Sequence, residues 1–159
     1  MSGFPHDARD PLDVLLVHHA PAEVPRFVES LPVRLRATSS QAVAAQFARP
    51  GARYQRPQLI VLDLDGSRIA ALEALRFLKA SPILRSVPVI VLAGSRAPDD
   101  VAAAYAQGAA SYLAKPAGVE EYERLLRRLF DYWGTVEPLP RANPSAEIEE
   151  TGRGARRGA

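Results

Sequence analysis

Cysteine is absent from the 159 residues of this chain, so neither a disulfide bond nor a thiolate metal site can form. The formal net charge is only +2, which is too small to indicate a nucleic-acid partner. No apolar run approaches the ~20 residues that a membrane-spanning helix needs, and the N-terminus lacks the apolar segment of a secretory signal. These absences predict a cytoplasmic protein of one globular domain, with neither a membrane nor a nucleic-acid partner.

The most informative stretch of the chain is residues 59–65, which read Leu-Ile-Val-Leu-Asp-Leu-Asp. Its four consecutive apolar residues predict a strand that is buried on both faces. Because Gly66 and Ser67 follow as turn residues, Asp63 is expected where this strand runs out into a loop. Ligands of open α/β sheets bind at that edge. Asp63 is therefore a candidate nucleophile or metal ligand, unless it is an ordinary solvated turn residue.

Short apolar runs alternate with helical periodicity along the whole chain. The predicted strands are residues 13–17, 33–37, 59–63, 87–92 and 111–114, and the predicted helices are residues 21–31, about 40–48, 69–80, 98–107 and 118–133. Five βα repeats predict an α/β fold, namely a five-stranded parallel doubly wound sheet of flavodoxin-like order 2-1-3-4-5 flanked by five helices. Around this domain of residues 12–133 we expect a flexible N-terminus, 1–11, and an extended or disordered tail, 134–159.

Four of the predicted strands end with polar residues at one edge of this sheet. They contribute His18, His19 and Ala20 after the first strand, Asp63 and Asp65 after the third, residues 93–95 after the fourth and Lys115 after the fifth. A carboxylate that faces a lysine suits phosphoryl chemistry, because the carboxylate can attack phosphorus and the ammonium can neutralise phosphoryl oxygens. Asp63 and Lys115 therefore form the candidate reactive pair.

At these residues the sequence resembles the receiver domain of two-component response regulators, over residues 12–133. Residues 57–75 align without gaps with the phosphoacceptor segment of that family, and residues 108–116 resemble its Gly-Ala…Tyr-Leu-x-Lys-Pro stretch. The resemblance implies that Asp63 accepts phosphate from a histidine kinase, that Lys115 contacts the phosphoryl group and that Tyr112 is the aromatic switch residue. It implies a phosphorelay protein with no catalytic residues of an enzyme.

Two departures from the family pattern affect the expected chemistry. The acidic pair that holds Mg²⁺ after the first strand reads His19 and Ala20, and the hydroxyl residue after the fourth strand, a switch position, reads Ala93. Mg²⁺ prefers oxygen ligands, and an imidazole suits it poorly. Adjacent strand residues also point to opposite faces, so His18 and His19 are not expected to chelate one metal together. We therefore expect no metal site, no cofactor and weak or absent Mg²⁺ binding in an atypical receiver that acts mainly by protein–protein interaction.

The end of the chain carries a second resemblance. Residues 132–140 resemble the C-terminal stretch of stand-alone receivers that partner bacterial phytochrome kinases and tend to form homodimers. The last predicted helix also has a wide apolar stripe, which is typical of an interface. We therefore predict a homodimer through Tyr122, Leu126, Phe130 and Trp133. The alternative is that Trp133 covers the core of its own chain.

Two other functions remain open from the sequence. One is a conventional, phosphate-accepting partner of a phytochrome-type histidine kinase. The other is a phosphatase, because residues 60–67 also resemble the first motif of haloacid-dehalogenase-type enzymes, with Asp63 as nucleophile and Asp65 as general acid/base. That motif normally lies on the first strand, whereas two predicted strands precede it here. The chain after Lys115 also supplies no acidic metal-binding motif.

Overall fold

The structure is a computed structural model that describes residues 11–20, 25–48 and 56–136. Apart from a few residues at their inner ends, the N-terminus 1–11 and the tail 134–159 lie outside these ranges, so the expectations for them stay predictions. The elements in chain order are β1 (Leu12–His18), a 3₁₀ turn (Arg26–Ser30), β2 (Val33–Ser39), α1 (Ala42–Ala48), β3 (Leu59–Asp63), α2 (Arg68–Ala80), β4 (Val89–Ala93), α3 (Pro98–Ala106), β5 (Ser111–Ala114), α4 (Val119–Asp131) and one π-helical turn (Tyr132–Val136).

The five strands form one parallel sheet in the order β2-β1-β3-β4-β5, which confirms the predicted topology. Every residue of β3 and β4 is buried, as expected for central strands covered on both faces. At one edge of the sheet, β2 is mostly half-buried, in agreement with its alternating sequence. The fold therefore places the ends of β1, β3, β4 and β5 side by side.

The two faces of the sheet have separate hydrophobic cores. Because side chains alternate along a strand, Leu15 and Val17 of β1 pack on the side of α1, α2 and α3, whereas Val14 and Leu16 pack on the side of α4. Among the described elements, the second face is covered by α4, the 3₁₀ turn and Trp133 of the π-helical turn. The described chain contains no helix long and apolar enough to cross a membrane.

The first predicted helix is wrong, and the described residues form four α-helices rather than five. In its place, the chain between Pro25 and Leu31 forms only the 3₁₀ turn, whereas residues 21–24 lie outside the described ranges. Pro25 is extended, with φ −59° and ψ 140°, and Leu31 is extended before a second proline. The intervening segment is too short for several α-helical turns. Its apolar residues still reach the core, because Val28 and Leu31 are buried.

The buried face of α2 is not the one that the spacing of its large apolar residues indicates. Ile69 lies on the same three-residue spacing as Leu75 and Leu78, but it is 73% exposed. Ala71 and Ala74 are buried instead, together with the two leucines. The small alanines allow α2 to approach the sheet closely, and the exposed Ile69 lies next to the loop after β3. The predicted helix over residues 69–80 is therefore present, but the large apolar residue of its first turn does not face the core.

The predicted end of α3 is confirmed at Gly108. This glycine has φ +99°, a left-handed conformation that ends helices and favours glycine. A Cβ atom there would lie 3.0 Å from Cγ of Lys79. The Lys79 ammonium donates a 2.9 Å hydrogen bond to the carbonyl of Val87, and burial lowers its pKa. This contact joins α2 to the segment that leads into β4.

Candidate functional site

Sheet register brings the reactive candidates together at the carboxyl edge. Val17 of β1 pairs with Leu62 of β3, so His18 lies beside Asp63. On the other side of β3, β4 ends at Ala93, which pairs with the last residue of β5. Lys115 follows directly and reaches back across the edge towards Asp63. The predicted convergence of Asp63 and Lys115 is therefore present.

Asp63 is completely buried, and each of its carboxylate oxygens has a partner. Oδ2 accepts a 2.6 Å hydrogen bond from Nζ of Lys115 and lies 3.4 Å from Nε2 of His18. Oδ1 accepts a 2.9 Å hydrogen bond from the backbone N–H of Asp65. A buried charge is tolerated only when it is paired and hydrogen-bonded. The lysine therefore compensates a carboxylate that water does not reach.

Lys115 lies between two carboxylates and an aromatic ring. Besides its bond to Asp63, Nζ is 3.5 Å from Oδ2 of Asp65 and 5.3 Å from the ring centroid of Tyr122. A cation over an aromatic face is attracted by the ring quadrupole. Burial, with the nearby charges of Asp63 and Asp65 as smaller causes, raises the pKa of the Tyr122 phenol. The tyrosine therefore stays neutral and fixes the direction of the lysine.

On the β1 side, the structure places His18 next to Asp63 rather than the predicted pair His19 and Ala20. β1 extends one residue further than expected, which moves the position beside Asp63 from 19 to 18. Nδ1 of His18 accepts a 2.9 Å hydrogen bond from the backbone N–H of Ala20. A neutral His18 ring therefore carries its proton on Nε2, the nitrogen that faces Asp63.

His19 takes part in the turn after β3 instead. Gly66 has φ +92°, and a Cβ atom on it would approach the His19 ring to within 2.8 Å. The turn therefore requires glycine for its backbone and for its contact with this imidazole. His19 and Ala20 both line a pocket of about 270 Å³ at the carboxyl edge. Its lining is shared among the loops after β1, β3 and β5 and the start of α4, and includes His18, Asp65, Lys115, Gly118 and Tyr122.

The loop between β4 and α3 is bound at two successive residues. The backbone N–H of Gly94 donates a 3.0 Å hydrogen bond to Oδ1 of Asp65. The carbonyl of Ser95 accepts a 2.7 Å hydrogen bond from the Tyr112 hydroxyl. Burial and the negative charge of Asp100 raise the pKa of Tyr112, so this hydroxyl remains a donor. Ala93 is buried and has no polar atom on its side chain. Tyr112 is thus connected to the loop and not to Asp63 directly.

The four residues predicted for a dimer interface are mostly inside the chain. Tyr122, Leu126 and Phe130 are buried against the sheet, so a second copy has little access to them. Trp133 is partly buried against the same core and contacts Tyr132 edge-on at 5.6 Å. The wide apolar stripe of α4 is therefore largely a core face, because the 3₁₀ turn leaves α4 to cover most of that side of the sheet.

Comparisons with known proteins agree with this geometry. No protein-family model matches the sequence. The probable methanogenesis regulatory protein FilR2 of Methanothrix harundinacea (strain 6Ac) is 32% identical over 139 residues, which cover 83% of this chain and 90% of FilR2. The cyanobacterial phytochrome response regulator RcpA, solved in its phosphorylated form, superposes with a TM-score of 0.69 at 25% identity, covering 81% of this chain and 99% of RcpA. The chain belongs to the response regulator receiver family.

A third relative is the response regulator Rcp1 of Synechocystis sp. (strain ATCC 27184 / PCC 6803 / Kazusa). It is 33% identical over 87 residues, which cover 55% of this chain and 59% of Rcp1. The solved Mn²⁺-bound form of Rcp1 superposes with a TM-score of 0.62 at 26% identity, covering 80% of this chain and 99% of that structure. The resemblance to receivers, including the phytochrome-associated ones, is thereby confirmed.

The receiver site of this chain has donors that suit Mg²⁺ poorly. Both oxygens of Asp63 already accept hydrogen bonds, and Asp65 is paired with Gly94 and Lys115. The third nearby group is His18, whose Nδ1 is occupied by a backbone N–H. Among the described residues, no group of three or more His, Asp or Glu side chains is arranged to hold a metal ion. A hard cation would have to displace a lysine to reach the buried carboxylate.

The contacts of two residues at this edge are not evident from the sequence. His18 is expected after the first strand, but only the register of β1 against β3 places it beside Asp63. From the sequence, Asp65 is one of the groups expected at this edge and the general acid/base of the phosphatase alternative. Its spacing of two residues from Asp63 was visible, but its bond to Gly94 depends on the path of the β4–α3 loop. Only the folded chain reveals that contact.

Proposed function

We propose that this receiver is an atypical, cytoplasmic component of two-component signalling that acts mainly by protein–protein interaction. Receivers of this family pair with histidine kinases, and such a kinase is the expected partner. The observation that supports a phosphate-independent role is the state of Asp63. Its carboxylate is completely buried, is bonded to Lys115 at 2.6 Å and has an imidazole rather than a carboxylate from β1 beside it.

This arrangement disfavours phosphoryl transfer for an electrostatic reason. The transition state spreads negative charge over the phosphoryl oxygens, and a metal ion normally neutralises much of that charge. Here Lys115 has to supply most of the compensation, and it is already shared between Asp63 and Asp65. We therefore propose that Mg²⁺ binds weakly or not at all and that Asp63 is a poor phosphoacceptor.

A phosphotransfer assay tests this proposal. The unmodified chain is incubated with Mg²⁺ and acetyl phosphate, or with a phosphorylated histidine kinase, beside a conventional receiver of similar size. We expect labelling to be slower by roughly a hundredfold, the cost of losing one strong charge-stabilising group. Asp63→Asn is the control for labelling elsewhere. Rapid stoichiometric labelling that Asp63→Asn abolishes would contradict the proposal.

The second candidate is a conventional, phosphate-accepting partner of a phytochrome-type kinase. The similarity to RcpA and Rcp1 favours it, since RcpA is described as a phytochrome response regulator. The short contact between Lys115 and Asp63 is also compatible with it. The same assay decides between the two candidates, because a purified phytochrome kinase should label the chain rapidly only under this second reading.

We propose no enzymatic activity for this chain. The phosphatase alternative requires Asp63 to attack a substrate and Asp65 to transfer protons. Asp63, however, has no exposed surface, and Asp65 holds a backbone N–H of the neighbouring loop. We expect no turnover of p-nitrophenyl phosphate with Mg²⁺ above a buffer control. Turnover that Asp63→Asn abolishes would support the phosphatase.

A homodimer stays part of the proposal, with a narrower surface than the sequence indicated. The exposed Tyr132 and the partly buried Trp133 lie at the end of α4, where Gly134 approaches Leu12 at the opposite edge of the sheet from Asp63. Light scattering at micromolar concentration should give a dimer mass, and Tyr132→Ser with Trp133→Ala should shift it towards monomer. A monomer mass for the unmodified chain would refute the interface.

A further inference from the structure

We propose that Asp65 acts as a built-in anion, which takes the contacts of a phosphoryl group and holds the β4–α3 loop and Tyr112 in one arrangement. Asp65 would then be a positioning residue that sets the signalling state of this receiver without covalent modification. The inference rests on the proposed function in one respect, namely that a partner protein binds the loop after β4.

The contacts of Asp65 are those that an anion next to Asp63 would need. Its Oδ2 lies 3.5 Å from the Lys115 ammonium. Its Oδ1 accepts a 3.0 Å hydrogen bond from the backbone N–H of Gly94. A phosphoryl group on Asp63 would require the same two kinds of partner, a cation and backbone donors from the neighbouring loop. Both partners are already engaged by a carboxylate that belongs to the chain.

The position of Asp65 is fixed by a hydrogen bond between its backbone and the side chain of Asp63. The backbone N–H of Asp65 donates to Oδ1 of Asp63, which turns the chain sharply after β3. Gly66 follows with φ +92°, and this left-handed residue completes the turn against His19. The side chain of Asp65 is therefore directed at the end of β4 by local backbone geometry. An accidental surface contact would not need such a turn.

From Gly94 the contacts continue to the aromatic switch position. The next residue, Ser95, accepts the Tyr112 hydroxyl through its carbonyl at 2.7 Å. Its side-chain hydroxyl donates a 2.7 Å hydrogen bond to Oδ2 of Asp100. Thus Asp65 holds the backbone N–H of Gly94, whereas Tyr112 binds the carbonyl and Asp100 the hydroxyl of the next residue, Ser95. Displacing Gly94 would move the carbonyl on which the Tyr112 hydroxyl depends.

The bond between Asp65 and Gly94 would take the place of the contact that a hydroxyl residue at position 93 makes in the family pattern. In the family pattern, a hydroxyl at that position transmits the pull of the phosphoryl group to the loop. Here Ala93 is buried and cannot form that bond, whereas the carboxylate of Asp65 acts on the next residue, Gly94. The pull on the loop is then permanent, because it comes from a carboxylate of the chain itself and needs no phosphodonor.

Amide hydrogen exchange and NMR of the full chain test the proposal directly. We expect Asp65→Ala to accelerate exchange of the Gly94 amide about tenfold, as expected for the loss of one hydrogen bond of ordinary net strength. The ring resonances of Tyr112 should shift at the same time. Asp65→Asn keeps an acceptor but loses the charge, and should give a smaller acceleration. Asp99→Asn, an exposed carboxylate change at the start of α3, is the matched control.

Formate separates a positioning role from a merely structural one. The small carboxylate should fill the space left in Asp65→Ala, slow the Gly94 exchange and return the Tyr112 resonances, with no effect on Asp65→Asn. The buried amide of Val91 in β4 reports global opening. The proposal is overturned if Gly94 and Tyr112 are unchanged in Asp65→Ala. It is also overturned if Gly94 and Val91 accelerate equally and formate restores neither.

These measurements use neither a kinase nor a phosphodonor. A failure here would leave slow labelling of Asp63, and with it the proposed function, intact. Rapid labelling of Asp63 would conversely refute the proposed function without changing the exchange rate of Gly94. The two hypotheses can therefore fail separately.

Discussion

The β5 side and the β1 side of the receiver site differ in the charge that they present to Asp63. On the β5 side, Lys115 contacts the carboxylate at 2.6 Å, as a group suited to anions would. On the β1 side, the neighbour is the imidazole of His18 at 3.4 Å, where the family has acidic residues for a cation. We call the β5 side, where Lys115 contacts Asp63, the intact half, and the β1 side, where an imidazole lies next to Asp63, the altered half.

The contacts that the two halves make with Asp63 depend on different elements of the fold. The register of β1 against β3 places residue 18 beside Asp63 whatever its side chain is, because backbone pairing fixes the position. The Lys115 contact depends instead on β5 and on the ring of Tyr122. Replacing the acidic pair therefore need not disturb the lysine. We therefore expect a receiver without carboxylates on the β1 side to keep the contact between Lys115 and Asp63.

The largest expected effect concerns the intact half. Lys115→Met would leave the fully buried carboxylate of Asp63 without its cation. Breaking a buried ion pair typically costs 3–5 kcal/mol. Because the Lys115 side chain is 22% exposed, we expect a loss of about 2–4 kcal/mol in the free energy of unfolding. Urea denaturation measures it, with Arg124→Met on the exposed face of α4 as the control.

The double variant Asp63→Asn with Lys115→Met sharpens this result. The amide brings no charge into the buried position, so most of the lost stability should return. A loss in Lys115→Met no greater than in Arg124→Met would mean that water reaches Asp63 and that the pair contributes little. In that case the two halves would differ in how closely Lys115 and His18 approach Asp63, but not in how much they contribute to the free energy of unfolding.

The second prediction reverses the altered half. His18→Asp with His19→Asp should lower the stability of the metal-free protein, because the carboxylate at position 18 would lie next to that of Asp63 and the one at position 19 would line the pocket at the same edge. Added Mg²⁺ should restore the stability by binding the native state. We expect an affinity for Mg²⁺ at least about tenfold higher than that of the unmodified chain in calorimetric titration, since each carboxylate supplies the oxygen that Mg²⁺ prefers.

His19→Asp with Ala20→Asp is the matched control for that experiment. It places the same two carboxylates one residue later, at the positions that the sequence alone indicated. The register of β1 predicts a smaller gain in Mg²⁺ affinity for this pair. A larger gain would show that the position next to the metal is Ala20 and that His18 lies outside the metal shell.

The sheet was predictable from sequence because the residue pattern of its central strands indicates one kind of element. The apolar runs of β3 and β4 fit only a strand buried on both faces, and turn residues mark their ends. Asp63 and Lys115 follow from those ends. The first predicted helix is wrong because Pro25 and Pro32 leave room for only a 3₁₀ turn, although Phe27 and Val28 both have helical spacing to Leu31.

The remaining contacts of the site depend on loop paths that no local pattern encodes. His18 faces Asp63 only because β1 is one residue longer than its apolar run. Asp65 reaches Gly94 only because Gly66 adopts a positive φ. Lys115 begins the β5–α4 loop, whereas its partner Tyr122 lies in the first turn of α4. Residue identity therefore predicted which groups are present, but not which of them touch.

The third prediction uses the pKa of Tyr122, which packs against Lys115 on the intact side. Its pKa is raised, so the native phenol keeps its proton at a pH where the unfolded chain releases it, near pH 10. Stability is therefore fully present below pH 10 and is lost as pH rises from there towards the native pKa. Between pH 9 and pH 10.5 the loss should be about 0.8 kcal/mol.

Tyr122→Phe isolates this contribution. The variant lacks the phenol, so its free energy of unfolding should fall less between the two pH values than that of the unmodified chain. The lowered pKa of Lys79 contributes with the opposite sign in both proteins and cancels in the comparison. An identical pH dependence of the two proteins would mean that the phenol ionises freely and that the space above Lys115 is open to water.

The smallest expected effect concerns an exposed ion pair at the rim of the same half. Arg68 contacts Asp100 at 2.8 Å, but the arginine side chain is 54% exposed. Asp100 also accepts the Ser95 hydroxyl and lies in the first turn of α3, where a carboxylate suits the helix dipole. Arg68→Ala should therefore lower the free energy of unfolding by at most about 0.5 kcal/mol, and by less in high salt.

The stability losses of Lys115→Met and Arg68→Ala can then be compared. Asp63 is buried, whereas Asp100 keeps other partners, so the ratio of the two losses measures how much burial adds to the strength of an ion pair in the intact half. A loss above about 1 kcal/mol for Arg68→Ala would instead place the rim and the buried pair in one coupled network.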